Sequence, residues 1–362
     1  MAVHIHLDDT RILKKVEYDL ITGYFIGFLL PIRDGLPSRD GFSLESFEEI
    51  EMAYNSTAVS SYAHCIVAQP ISIEAPSFFL FVLGSDSKYT HKEIEHRWDF
   101  IKQEVDKRNV VTLSNGSDGA GPFLKPMVNK CKIFHTSDTS NVPPHWSFYV
   151  MPKLAIDSLN AQDTVNLMAK LRTKLVTPSN LISIGSAMAC RGHLTELLKH
   201  LPKERHGLTQ RAIDHKDKQN YTSVGLLVKP CVENCLKDLS HMATDGTVIY
   251  LRLMRDIRDA FFDKALSPLR RLYLMRKTTF FLRIWRVWLT NEDLAQSGHF
   301  ITNNAYMFVE MNTHMLTNII CNVVFGIYPP ESLRVWKTGS QSCEQLFRIL
   351  RSMTSTFSTI FL

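Results

Sequence analysis

Three carboxylates in this chain fall where a strand ends or a helix starts, and acids so placed can share a divalent cation. Asp8 closes an alternating opening run, Asp118 sits in the polar stretch Asn115-Gly-Ser-Asp118-Gly-Ala-Gly121, and Glu344 lies near the first turn of a helical tail. Hard carboxylate oxygens are what Mg²⁺ prefers, and three of them leave coordination positions for water and phosphate. Two such ions about 3.5–4 Å apart hold the attacking and leaving oxygens of an in-line phosphodiester displacement. By residue type alone, Asp8 could equally cap a turn, Asp118 could stabilise a loop, and Glu344 could pair with Arg348 for a few tenths of a kcal/mol.

The acids meet only if the right elements carry them. Ala2 to Asp9 places Val3, Ile5 and Leu7 on one face, which predicts a strand. Arg11 to Asp19 and Tyr24 to Pro31 read as two further strands of an antiparallel meander, and Ser43 to Tyr54 as a helix with Ser46 and Glu49 as a capping box. Tyr62 to Ile73 and Phe78 to Leu83 read as strands. Ile94, Trp98, Ile101 and Val105 recur at helical spacing within Thr90 to Arg108. That helix feeds a strand over Asn109 to Ser114, and such a crossover produces a parallel pair whose carboxyl end is where ligands gather. In the tail, Ser340 and Ser342 are N-cap candidates, while Cys343, Leu346, Phe347, Leu350 and Met353 form a core-facing stripe.

The glycines around Asp118 lack the Walker spacing and its Lys, so no nucleotide loop follows from them. Residues 134–147, with Pro143 and Pro144, read as a linker. Beyond it, 153–200, 224–243, 247–289 and 303–325 are helical by period.

A chain of 362 residues that is 45% hydrophobic can bury a large core and form two domains. The opening residues lack the order of a signal peptide, and no apolar run reaches the ~18 residues of a membrane span. Seven cysteines, an odd number, build no disulfide framework. A soluble intracellular protein is expected. The net charge of +5 hides a split: residues 1–150 hold 14 Lys+Arg against 19 Asp+Glu (14 − 19 = −5), and the remainder 27 against 17 (27 − 17 = +10). An acidic part beside a basic part suits a metal holder joined to a polyanion holder.

The basic part concentrates in Tyr250 to Leu289, where Arg270, Arg271, Arg276, Lys277, Arg283 and Arg286 are interleaved with aromatic residues. Such a stretch can track nucleic-acid phosphates and stack on bases. The same spacing also fits a core stripe of Leu251, Met254, Ile257 and Phe261 backed by solvated cations. Cys231 and Cys235, four apart with His241 beyond, read as neighbours on a buried helix face, since a fourth metal ligand is not evident.

His4-Ile-His-Leu-Asp8-Asp-Thr-Arg11, Ser114-Asn-Gly-Ser-Asp118-Gly and Ser340-Gln-Ser-Cys-Glu344-Gln-Leu-Phe-Arg348 resemble the Asp, Asp and Glu motifs of RNase H-like transposases, nearest to the hAT and P-element-like group. The resemblance covers almost the whole chain. It implies an α/β fold in which an RNase H-like mixed sheet is interrupted by a large all-helical insertion: 1–150 as the first part of the core, 151–337 as the insertion, and 338–362 as the closing helix. It further implies a DNA strand-transferring nuclease in the nucleus, with Asp8, Asp118 and Glu344 as catalytic metal ligands for two Mg²⁺ or Mn²⁺ ions. DNA is the expected partner, with a second copy of the chain if it assembles, and neither a membrane nor a small-molecule substrate is expected. Where similar proteins often carry Asp-x-x-His, this chain has Asp163-Thr-Val-Asn166. The alternative is a catalytically inactive, transposase-derived DNA-binding or protein-interaction module.

Overall fold

A computed structural model describes residues 1–38, 41–72, 75–119, 121–131, 159–218, 220–239 and 241–353. The linker expected at 134–147 lies outside them. The first strand, β1 (Ala2–Arg11), buries Val3, Ile5 and Leu7 on one face as the alternation predicts. Its other face is buried too, and that face carries His4, His6 and Asp8. A strand covered on both sides belongs to the middle of a sheet.

The expected antiparallel pair forms, shortened and turning where predicted, but it does not join β1 in a meander. Two short hairpins follow β1 instead, β2 (Glu17–Asp19) with β3 (Tyr24–Ile26) and β4 (Ile32–Arg33) with β5 (Leu36–Pro37), each a separate two-stranded sheet. Leu20 and Ile21 at the tip of the first hairpin are 87% and 95% exposed, while Phe28 beyond β3 is buried against Phe42 and Tyr54. Helix α1 (Phe47–Ser56) forms half the predicted box: Ser46 Oγ accepts from the Glu49 amide, but the Glu49 carboxylate takes the Glu45 amide.

The sheet resumes with β6 (Tyr62–Pro70) antiparallel to β1, then β7 (Phe78–Ser85) antiparallel to β6. Helix α2 (His91–Asp106), capped reciprocally by Thr90 and Glu93, buries Ile94, Trp98, Ile101 and Val105. It crosses over to β8 (Val111–Ser117), which is parallel to β1 as the crossover requires. Strand β8 outruns the predicted end at Ser114 because Asn115, Gly116 and Ser117 pair on both sides. Its second partner, after α3 (Gly121–Cys131), is β9 (Leu159–Gln162), which stands where the periodicity predicts helix. The sheet order is β7-β6-β1-β8-β9.

A helical stretch follows: α4 (Thr164–Val176), the small hairpin β10 (Ile182–Ile184) with β11 (Ala187–Ala189), α5 (Arg191–His200), α6 (Lys203–His206), α7 (Tyr221–Leu227), α8 (Pro230–Lys237), α9 (Asp245–Phe262), α10 (Pro268–Asn291), α11 (Gln296–His299) and α12 (Asn303–Val324). Helix α12 is buried around nearly its whole girth from Ala305 to Ile319, including the polar Glu310, Asn312, His314 and Asn318. It packs on α10, which packs on α9.

The last element, α13 (Gln341–Met353), lies on β1 and β6. Cys343 and Phe347 are buried with Ile12, Ala63, Cys65 and Val67, and Leu346 and Leu350 close the edge. Burying Phe347 contributes about 2–3 kcal/mol toward holding the helix on the sheet. The chain thus divides into two compact units. Among the described residues the sheet unit holds 1–131, 159–163 and 325–353, and the helical unit holds 164–324. No described helix is long and apolar enough to cross a membrane.

Candidate active site

Strands β1 and β8 run parallel with Leu7 opposite Ser117, and one residue further along each stand Asp8 and Asp118. Asp8 lies opposite Cys65 of β6, whose side chain packs under α13, so the Asp8 carboxyl is on the face that this helix covers. Asp8 is 5% exposed, Asp118 half-buried and Glu344, in the first turn of α13, exposed. Burial pushes the Asp8 carboxyl well above the ordinary carboxylate range, and the negative charges of Asp118 and then Glu344 push it further. Only the Asp9 amide, 2.8 Å from Asp8 Oδ1, favours the ionised form. The three acids therefore share one electrostatic neighbourhood, and its cost falls on the buried member.

The adjacent Asp9 has the opposite environment. Its carboxylate meets His64 Nδ1 at 2.6 Å and accepts from Ser87 Oγ at 3.1 Å and the Tyr89 hydroxyl at 3.2 Å. Burial depresses the His64 imidazole, so the ring is held neutral and donates its Nδ1 proton. Asp9 is satisfied from within the protein, whereas Asp8 faces acids.

Glu344 is placed by the entry of α13. Asp163, 1% exposed just past β9, accepts through Oδ2 from the Ser340 amide at 3.1 Å, Ser340 Oγ at 2.8 Å and Gln341 Nε2 at 2.8 Å. The Ser340 carbonyl accepts the amides of Cys343 and Glu344, so Ser340 is the cap residue, but its hydroxyl serves Asp163 rather than the helix. A carboxylate held at this end also suits the helix dipole. On the sheet side, His6 Nδ1 is hydrogen-bonded to Ser342 Oγ, and His4 Nδ1 meets Ser114 Oγ at 2.8 Å. Burial lowers His4 to about 4 and His6 to about 3, so both rings are neutral near pH 7. Gly116 is obligatory here, because a Cβ would come within 2.9 Å of the Gly339 carbonyl oxygen and 3.1 Å of the His6 ring. Gly339 itself has φ +99°, which only glycine adopts readily. The sequence singles out Asp163 without revealing this clamp.

The six candidate cations within 250–289 do not form one stripe. Arg271 is buried and donates to the carbonyls of Ala260 at 2.6 Å and Leu266 at 3.2 Å, tying the end of α9 to the start of α10. Arg283 is 7% exposed and grips Glu310 in a fork, at 2.7 and 2.6 Å. Both are internal fastenings, which corrects the expectation that they face nucleic acid. Lys277 pairs with Asp256 at 2.5 Å, Arg270 is exposed over the Tyr273 ring, and Arg276 and Arg286 are half-buried, the latter over Tyr306. At about 100° per residue, Arg270 and Lys277 share one side of α10 and Arg276 and Arg286 another. Phe261 and Trp285 are core residues, and Trp285 Nε1 donates to the Ser183 carbonyl at 2.6 Å. Cys235 is buried and Cys231 half-buried on α8, as a helix face predicts.

No protein-family model and no curated protein matches the chain. Among solved structures, a chain of the Drosophila P element transposase strand transfer complex superposes with a TM-score of 0.66 at 10% identity, over 99% of this chain and 74% of that one. At that identity the likeness is one of fold, and the fold is transposase-like.

Proposed function

We propose that this chain is a transposase-like DNA-processing protein whose sheet unit is an RNase H-like core and whose residues 164–324 are the inserted helical domain. What supports the reading is that Asp8 and Asp118 end the neighbouring parallel strands β1 and β8, that Glu344 opens the helix packed on the Asp8 face, and that the fold is like that of a transposase whose structure's name places it in a strand transfer complex. The acids fit Mg²⁺ or Mn²⁺: all the donors are hard oxygens, and the charges that act on Asp8 from Asp118 and Glu344 are repulsive until a cation offsets them. Bound there, two such ions would polarise a DNA phosphodiester and lower the pKa of an attacking water or 3′-hydroxyl. Asp8 is the fixed, desolvated ligand, Asp118 and Glu344 are the more accessible ones, and Asp163 sets where Glu344 stands. The exposed Arg270 and Lys277 and the half-buried Arg276 and Arg286 hold DNA backbone. Action on chromosomal DNA places the protein in the nucleus.

A second reading, a DNA-binding module without catalysis, is favoured by Asn166, which stands where the resemblance puts His. Nicking of supercoiled plasmid in Mg²⁺ or Mn²⁺ separates the two. Nicking by the parent that disappears in Asp118→Ala and Asp8→Asn supports the enzyme. Plasmid binding by the parent without nicking supports the module. Nicking that survives both substitutions removes these acids from the chemistry.

A further inference from the structure

The helical unit carries a second constellation with metal-ligand chemistry, unrelated to the three acids. Glu196 and His200 are one turn apart on α5, and His241 comes from the segment between α8 and α9. One ligating atom from each of the three lies within 4.8 Å of the other two. Two imidazole nitrogens and a carboxylate are borderline donors, the mixture that suits Zn²⁺ better than Mg²⁺. The spacing agrees with that choice. His200 Nε2 and Glu196 Oε2 are 3.1 Å apart. Two donors bound to one ion at about 2.0–2.1 Å, with angles between 90° and 109°, stand roughly 2.9–3.4 Å from each other. The His200 and His241 rings meet edge to face, with centroids 5.4 Å apart, which turns the second imidazole toward the first. Glu196 Oε1 is occupied by Lys199 Nζ at 2.6 Å, leaving Oε2 as the oxygen turned to the imidazole.

The surroundings hold the two segments in place without the ion. Helices α5 and α8 pack together, Arg205 pairs with Asp238 at 2.5 Å just past α8, and Thr244 Oγ1 donates to the Leu236 carbonyl at 2.9 Å. His200 and His241 are exposed, so an ion could enter directly from solvent and keep water in its remaining position.

We infer that Glu196, His200 and His241 form a Zn²⁺ site that fastens the end of α5 to the segment leading into α9. The test is titration of the full chain with Zn²⁺ in excess Mg²⁺, which occupies hard-oxygen sites, read by calorimetry and thermal melting. The expected result is saturable 1:1 binding and a raised melting temperature reversed by chelator, with affinity falling about 10-fold or more in His241→Ala and further in His200→Ala/His241→Ala. Both imidazoles are exposed, so the variants should fold, and the metal-free melting temperature checks that they do. Co²⁺ in place of Zn²⁺ should give visible bands without thiolate charge-transfer absorption, separating this site from Cys231 and Cys235. An affinity unchanged in the double variant, a thiolate signature, or no saturable binding by the parent overturns the assignment.

Discussion

Asp8 in the sheet unit and Glu310 in the helical unit are exposed to nearly the same small extent, 5% and 4%, yet the groups around them differ in sign. Glu310 is held by the Arg283 fork and accepts from the Tyr306 hydroxyl at 2.7 Å, so its burial is compensated by a cation and hydrogen bonds from its own unit. Asp8 feels Asp118 and Glu344. A buried carboxylate with a matching cation is a fastening, and removing either half leaves an uncompensated charge. A buried carboxylate among acids weakens the fold that contains it, and a chain keeps such an arrangement where something from outside supplies the missing positive charge. Asp163 is a third case, buried with three neutral donors and no cation among them.

The largest effect that bears on this contrast is catalytic. If the acids hold catalytic metal, Asp8→Asn lowers plasmid nicking by about 10²–10⁴-fold, the rate equivalent of several kcal/mol. The same substitution should leave the thermal stability unchanged or raised, because it removes a desolvated charge from a repulsive cluster. A loss of stability comparable to that of a broken ion pair would erase the difference between Asp8 and Glu310. Next in size, Arg283→Ala should destabilise the protein by about 3–5 kcal/mol in denaturant unfolding, since Glu310 is then buried without its partner.

Acid should strain both units by the same means, which makes pH a control. His4 and His314 are buried and held to about 4, below the ~6.5 of an unfolded chain, so the fold prefers both neutral. The unfolded state binds more protons between those values. The contribution is complete above pH ~6.5 and is lost as the pH falls toward 4, by about 3 kcal/mol per ring. Replacing His314 with Gln should flatten that part of the stability–pH curve; an unaltered slope would mean the ring charges without penalty. The smallest effect concerns placement: Asp163→Asn should cost about 1–3 kcal/mol and reduce nicking 10–100-fold, with metal still bound. Equal losses of stability and no change in nicking would confine Asp163 to a structural task.

Much of the sheet unit was legible where the period is clean. Val3, Ile5 and Leu7 announce β1, Ile94 to Val105 announce α2, and Cys343 to Leu350 announce the helix that closes the core. Strand β9 was not, because Leu-Asn-Ala-Gln has one large apolar residue and no β-branched one; it is a strand because β8 offers it an edge. The division of labour among the arginines was equally hidden. Arg270 and Arg271 are neighbours in one basic run, and only partners brought by the fold make one a surface charge and the other a strut. The Asp163 clamp joins groups 177 residues apart, and no local pattern encodes that.

The meeting of Gly116 with Gly339, backbone against backbone, constrains how such a chain can drift. If the three acids cut DNA, a descendant that gave up that reaction could shed Asp8, Asp118 or Glu344 and fold as well or better. It could not add a methyl group at Gly116 without pushing Gly339 away, nor at Gly339 without straining a backbone at φ +99°. The two glycines should therefore outlast the acids.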